Sequence, residues 1–390
     1  MANTAYSVSQ TEIGLAVETV RGTAVAPAFW IPAKSPKYEP KLTLIADDTL
    51  QGSMVETYDE VPGMRYDSHG WEGYPYLDSF PLFLRAELGS SDTLTAAGAA
   101  TTLSAAAIAG AATITTATAL TEGSYVVIGA GGTLETRLVA SVATDTATLA
   151  FPLIYAHASG QAVTPLTTHQ FSLLNNAGSG NQPPSVTVTD YDGSQWRQLT
   201  AAQLDELNVK GNTTGLADYT CTWFANASTT PTAPTPSYSS ARAVPGWTTS
   251  VAIGGTPVNY VEDWEVDMKR GVEPIPALTG SQEYYLYFAN ALTATAKLTI
   301  IEQANSPQLT EFENGTKQSL DITIFDIGTG NALNLHSSSA VYTSGTVDRG
   351  SKGEVKIALD AELLPSAADA LAGGVSPLLA TVANAQTAPY

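Results

Sequence analysis

The sequence predicts a mainly β protein: an antiparallel β-sandwich with one flanking short α-helix, extended N- and C-terminal arms, and an inserted small β domain. Three observations lead there. Apolar and polar residues alternate with period two in several segments. In 354–363, Val355, Ile357, Leu359, Ala361 and Leu363 share one face, while Glu354, Lys356, Ala358, Asp360 and Glu362 share the other. Trp264, Val266 and Met268 alternate with Asp263, Glu265, Asp267 and Lys269, and Leu320, Ile322 and Ile324 with Asp321 and Thr323. Such alternation marks antiparallel strands with one face in a core and one in water. Prolines at 27, 32, 36 and 40 forbid a long helix in the first fifty residues. Only one segment shows convincing helical spacing.

Taken in order, residues 1–50 read as an extended arm. Segments 54–58 and 64–71 read as two strands around a turn at 59–63, where Pro62 presets one corner and Gly63 accepts positive φ at the next. The helix follows. Asp78 or Ser79 caps it, Pro81 sits in its first turn, and Phe80, Phe83, Leu84 and Leu88 form its apolar face before Gly89 ends it. Composition shifts at Ser90 and back near Pro165, so 93–165 reads as a small β module projecting from the outer surface. Strands resume at 185–190 and 217–225, and the Pro/Thr/Ser-rich stretch 229–246 reads as a long surface connection. A second strand-rich part runs from Trp247 to Leu364, and 365–390 reads as a C-terminal arm. The expected division is therefore 1–92 and 166–364 for the sandwich, 93–165 for the module and 365–390 for the arm.

Charge narrows the function. The chain carries 17 Lys+Arg against 37 Asp+Glu, a formal net charge of -20. Charged residues make up 14%, against about 25% in an average domain. A protein that wraps nucleic acid by neutralising phosphates needs clustered cations, and an anionic membrane surface repels this one. No segment combines about 20 strongly apolar residues, so a soluble protein is expected. The first residues show neither a basic nor an apolar leader segment. One cysteine, Cys221, excludes an internal disulfide framework and reads as a small buried apolar group.

Catalytic motifs are missing. There is no nucleophile elbow, phosphate loop, zinc-protease pair or dinucleotide fingerprint. Asp67, Ser68 and His69 stand in a row, but neighbours on a strand point to opposite faces and cannot form a relay. Asp190 and Asp192 echo half a calcium loop without its glutamate, so an aspartate-capped turn is expected. His336 stands beside three serines with no assigned role. No metal, cofactor or enzymatic activity is expected.

Residues 12–27, from Glu12-Ile-Gly-Leu-Ala-Val-Glu through Arg21-Gly-Thr-Ala-Val-Ala-Pro27, resemble the opening of long-tailed (siphovirus-type) bacteriophage tail tube proteins. Leu298-Thr-Ile-Ile-Glu, Glu311-Phe-Glu-Asn-Gly, Leu320-Asp-Ile-Thr-Ile-Phe and Val355-Lys-Ile-Ala-Leu are similar to that family's closing strands. The segment 93–165 departs from a minimal tube protein and resembles β modules inserted in other phage structural proteins. The resemblance implies a virion structural subunit in the phage tail. Its hexameric rings stack into a tube through which double-stranded DNA and the tape-measure protein pass, with tail-end proteins as further partners.

Three expectations about sites follow. Asp263, Glu265, Asp267, Glu354, Asp360 and Glu362 lie on wet strand faces and are candidates to line an acidic lumen. Tyr58, Tyr66 and Trp71, read as exposed aromatics, are candidates for ring-to-ring contacts. The two arms, with Phe29, Trp30, Leu378 and Leu379, are expected to bury themselves across subunit boundaries. The competing reading is a β-rich adhesin or carbohydrate-binding virion protein, consistent with six tryptophans and a Thr/Ser-rich surface. A depolymerase would need a carboxylate pair in a cleft.

Overall fold

The computed structural model describes residues 5–175, 180, 182–304, 307–350, 353–371 and 373–390. The first four residues of the expected N-terminal arm and residue 372 of the C-terminal one lie outside these ranges.

Strands β1 (Glu12–Val17), β2 (Phe29–Ile31), β3 (Ala33–Asp47) and β4 (Asp59–Gly73) precede helix α1 (Pro81–Leu88) and β5 (Thr93–Thr95). A separate six-stranded sheet follows, built from β6 (Thr101–Thr102), β7 (Thr113–Thr115), β8 (Tyr125–Ile128), β9 (Glu135–Ala143), β10 (Thr146–Leu149) and β11 (Ala162–Pro165). The main body resumes with β12 (Thr167–Ser172), β13 (Val186–Tyr191), β14 (Trp196–Asn212) and β15 (Asp218–Ala225). Next come β16 (Ser250–Ile253), β17 (Thr256–Val258), β18 (Val261–Lys269), the ribbon β19 (Glu273–Ile275) and β20 (Leu286–Phe288), β21 (Thr293–Ile301) and helix α2 (Gln308–Glu313). The chain closes with β22 (Lys317–Phe325), β23 (Ala332–Asp348), β24 (Lys356–Leu363) and β25 (Leu379–Asn384).

Seventeen of these strands form one hydrogen-bonded network. Its core is a single apolar cluster shared by both layers of the sandwich, including Ile13, Val188, Val209, Trp223, Val266, Ile322, Leu335 and Leu359. The fold class predicted from alternation is the one observed.

The network is a tandem repeat. In the first unit β3 pairs β4, β4 pairs β15 and β15 pairs β14, while β1 pairs β13 and β13 pairs the start of β14. In the second unit β18 pairs β21, β21 pairs β24 and β24 pairs β23, while β16 pairs β22 and β22 pairs the start of β23. Corresponding long strands β14 and β23 have 17 residues each, and β15 and β24 have 8 each. Their irregularities also correspond. Register shifts between Val186↔Ala202 and Val188↔Leu199 in one unit, and between Gln318↔Ala340 and Leu320↔Ser337 in the other. A β-bulge with one extra residue on the long strand thus turns it from the rear sheet into the front sheet in both units. Helix α1 packs on β14 and α2 on β23. The front sheet is therefore continuous across eight strands, in the order β3-β4-β15-β14-β18-β21-β24-β23.

Several local expectations are corrected. The turn of the first hairpin lies at 48–58, and Pro62 and Gly63 sit inside β4 with Pro62 opposite Leu44. A bulge between Leu42 and Leu44 absorbs the irregularity there. Neither Asp78 nor Ser79 caps α1. Its N-cap is Phe80, and Arg270 from the end of β18 donates to the carbonyls of Glu87 and Leu88 at the other end. Gly89, at φ 85, closes that end as expected. The ends of the chain are not free arms. Within the same molecule Ile13, Trp30 and Leu378 are buried, Phe29 stacks on Tyr390, and β25 pairs both β12 and β23. Strand pairing inside the chain satisfies these extended segments, so no neighbour is needed to bury them.

The small sheet begins at Thr101 rather than Thr93, because β5 pairs β12 in the main network. It has its own core around Val126, Ile128, Val139 and Val163. It is also fused to the body. Tyr125 and Leu138 pack with Phe325, Ala332 and Ala383, and Thr136 Oγ1 donates to the Gly330 carbonyl at 2.5 Å. Gly330, at φ 80, lies so close to Val127 that an added Cβ would come within 2.7 Å of it. Replacing 101–165 with a Gly/Ser linker should leave the body folded but uncover Phe325. A stability loss of roughly 2–3 kcal/mol, the scale of one large apolar side chain, is expected in urea unfolding.

Candidate assembly surfaces

One face of the front sheet packs on the core and the other is charged. Positions related by strand pairing form a row with alternating signs: Asp218, Lys210, Glu265, Lys297 and Asp360, from β15, β14, β18, β21 and β24. The next row holds Thr220, Asn208, Asp267, Thr295 and Glu362. The structure thus brings both predicted carboxylate sets onto one surface, with β21 between them. Glu354 lies just before β24, beside Lys356.

Lysines interrupt this acidic face and pair with it. Lys297 Nζ is 3.3 Å from Glu265, and Lys269 Nζ lies 2.9 Å from Glu206 and 3.1 Å from Asp267. Lys356 reaches Glu262 and Glu354. Asn208 Nδ2 donates to Glu265 at 2.7 Å. Burial raises the Asp267 pKa, and the bonds to Glu206 and Asp267 raise that of Lys269. Exposed pairs of this kind contribute about 0–1 kcal/mol each, so their main effect is to fix where charge sits. Asp263 and Glu362 make no ion pair among the described residues. Carboxylates outnumber lysines, so the face is acidic overall with a charge-paired centre. Sequence reading missed Glu206, Lys210 and Lys297; alternation of Leu207 and Val209 with Asn208 and Lys210 would have found β14.

The second surface is the β3–β4 hairpin. Beyond Leu42 it leaves the sandwich and exposes Leu42, Leu44, Ile45, Val55 and Val61, with Leu50 98% and Met54 104% exposed at the tip. Tyr58 is half-buried. Tyr66 sits at the hairpin base, its ring 5.8 Å from Phe224 and 5.6 Å from Tyr284. Trp71 is not exposed. It is 3% accessible, stacks on Trp223 at 6.0 Å and donates from Nε1 to Tyr219 Oη at 3.1 Å. The reason is strand parity: Asp67, His69 and Trp71 turn toward the core, whereas Ser68, Gly70 and Glu72 face out.

Other flagged groups have structural roles. Cys221 is buried against the Trp71 carbonyl, and burial pushes its thiol pKa up. Asp192 Oδ1 accepts from Ser194 and Gln195 N–H, closing the predicted turn. His336 Nδ1 lies 2.7 Å from Asp321 and its Nε2 3.2 Å from Ser338 Oγ. The Asp321 bond raises the His336 pKa, and Ser338 Oγ donates to Asp369 at 2.6 Å. That hydroxyl proton is committed to a carboxylate, so the arrangement secures the chain around Asp369. Among the described residues no group of three or more His, Cys, Asp or Glu is placed to hold a metal ion, and no helix is long and apolar enough to cross a membrane.

Residues 8–363 match the family model described as phage tail tube protein. The match runs from just before β1 to the last residue of β24, so it spans both units. No curated protein matches the chain.

Because Trp71 is a core residue, Trp71→Ala should lower stability by about 3–5 kcal/mol in denaturant unfolding. A variant unchanged in stability yet unable to assemble would return Trp71 to the surface role.

Proposed function

Since the chain belongs to the phage tail tube protein family, we propose that it is a structural subunit of a siphovirus-type tail, building stacked rings of six-fold, hexameric character around a channel for double-stranded DNA. It performs no catalysis. During assembly the channel holds the tape-measure protein, tail-end proteins close it, and the assembled subunit resides in the virion tail.

One observation carries this reading: a single sheet presents a charged, net acidic face and sends out from its edge a long hairpin with an apolar tip. Closing such sheets into a ring removes their edges. The packed face then points outward to the rear sheets, and the charged face becomes the wall of the channel. Carboxylates repel phosphates over a Debye length of about 8–10 Å, whereas clustered lysines would hold DNA by counterion release. Paired lysines keep the wall from being a uniform field while leaving it acidic. Asp263, Glu265, Asp267, Glu354, Asp360 and Glu362 are the wall residues of this proposal. The hairpin reaches the next ring, where Leu50, Met54 and their neighbours lose their contact with water. Tyr58 and Tyr66 belong to that contact; Trp71 supports it from the core.

Replacing 44–62 with a two-residue turn should leave single rings, visible by negative-stain microscopy and as one slow species in sedimentation. Long tubes from that variant would reject the stacking role. Changing Asp263, Glu265 and Asp267 together to Lys should preserve tubes and slow DNA ejection, more at low salt than at high. Ejection unchanged at low salt would remove these residues from the wall.

A further inference from the structure

The two units of one chain are already joined edge to edge, and the edges left over are the same two edges. Within the chain, β14 of the first unit pairs with β18 of the second: Asn208 opposite Asp267, Val209 opposite Val266, and Lys210 opposite Glu265. The counterpart of β14 in the second unit is β23, and the counterpart of β18 in the first unit is β3. Among the described residues, β3 pairs only with β4, and 344–348 of β23 pairs only with β24. We infer that β23 of one chain pairs with β3 of the next as β14 pairs with β18 inside the chain, and that three chains, bringing six units, close each ring. The number three rests on the six-fold tube reading above; the joint itself rests on the repeat.

Carrying the internal register over sets Thr346 opposite Glu39, Val347 opposite Tyr38 and Asp348 opposite Lys37. The side chains fit these places. Val209 and Val266, which meet inside the chain, are fully buried, while Val347 and Tyr38 stand half-buried at the rim of the core. An intermolecular joint would complete their burial. Charge fits as well. The internal row Asp218, Lys210, Glu265 alternates in sign, and the corresponding outer row Lys356, Asp348, Lys37 carries the reversed signs. Opposite charges directly across a strand pair stabilise it, and like charges destabilise it. Lys37 reaches Glu39 at 3.6 Å on its own strand, but its side chain is 79% exposed and can take Asp348 as a further partner. Pro40 stands where Met268 stands in the internal joint and brings no N–H to either neighbour. A proline is tolerated at such an edge, and it blunts the edge against unspecific pairing before the right partner arrives.

The test is a cross-link in the assembled protein. Residues paired across antiparallel strands have Cα atoms about 4.5–5.5 Å apart, within reach of a disulfide. The one native cysteine, Cys221, is buried. Tubes of the full chain carrying Glu39→Cys and Thr346→Cys are oxidised, denatured without reductant and sized. The expected ladder ends at three chains, three times 40.6 kDa. Glu39→Cys with Ser344→Cys, two residues out of register, should cross-link at least about tenfold less, because diagonal neighbours lie about 7–8 Å apart. Rings of the hairpin-shortened variant, weighed by mass photometry, should give the same three-chain mass without any introduced cysteine. A ladder or ring of six chains overturns the three-chain ring. Intact tubes that do not cross-link, or that cross-link equally in both registers, overturn the joint. If the wild-type chain forms neither rings nor tubes, the tube reading fails instead, and the two failures are thereby distinguished.

Discussion

Each unit depends on a bulge that lets one strand serve two sheets, and each bulge depends on a buried carboxylate. Where β14 crosses from rear to front, Ala201 takes φ 53, a left-handed conformation that residues with a Cβ rarely adopt. Its N–H has left the ladder and donates instead to Glu18 at 2.9 Å. Glu18 also accepts from Gly22 N–H and from the hydroxyls of Ser185 and Thr187. An isolated buried carboxylate would be costly, but four donors offset the loss of water. At the corresponding place in β23, Asp369 accepts from both the N–H and the hydroxyl of Ser338. Glu18 arrives from just after β1, and Asp369 from the chain beyond β24. Unrelated segments therefore supply the same acceptor to equivalent bulges.

That division of one strand between two layers organises the rest of the molecule. Because β14 and β23 leave the rear layer halfway, their second halves form part of the front sheet and present a long edge. In β14 that edge is taken by β18; in β23 it stays open among the described residues. The rear layer absorbs the remaining segments. The short connection from α2 to β22 takes residues 314–316, whereas the equivalent connection from α1 to β13 contains β5, the small sheet and β12. Strands β5 and β12 form a stem that β25 then stitches to β23. An insertion at this point lengthens the rear layer without touching the front face or the hairpin. The large module is thus compatible with a closed ring.

Local pattern made much of this legible. Alternation located β18, β22 and β24 and told which faces of β18 and β24 are wet, because a half-buried strand leaves that imprint on its own residues; in β22 the polar face is covered as well, and Thr323 is buried. The helix was legible from Phe83, Leu84 and Leu88 and the closing Gly89. Errors arose where the deciding partner lies far away in sequence. Pro62 and Gly63 look like a turn, but pairing with β3 along the fifteen-residue strand β4 holds them in a strand. Trp71 looks like an exposed aromatic until Tyr219 and Trp223 are placed against it. The repeat was invisible for a different reason. Position by position, β15 and β24 share no residue, Tyr219 corresponding to Ile357 and Trp223 to Ala361. What they share is parity and register, which appear only when strands are paired. Thr343 and Asp205, the bulge residues beside them, differ as completely.

A chain with two similar units in tandem faces a hazard that a single-unit subunit does not. Two forward edges, β14 and β23, could each accept either of two receiving edges, β3 and β18, and wrong choices would open the chain or close rings of the wrong size. Charge separates the choices. If β14 met a foreign β3 in the same register, Lys210 would face Lys37. If β23 met a foreign β18, Asp348 would face Glu265. Both mispairings set like charges directly across a strand pair, whereas the internal joint and the proposed one set opposite charges. Each term is worth only about 0.2–1 kcal/mol, but the difference between right and wrong is felt at every joint of a ring and multiplies around it. Under the proposed joint, reversal of sign between the two rows, with the strand geometry held constant, would let one fold appear twice in a chain and still assemble in one order.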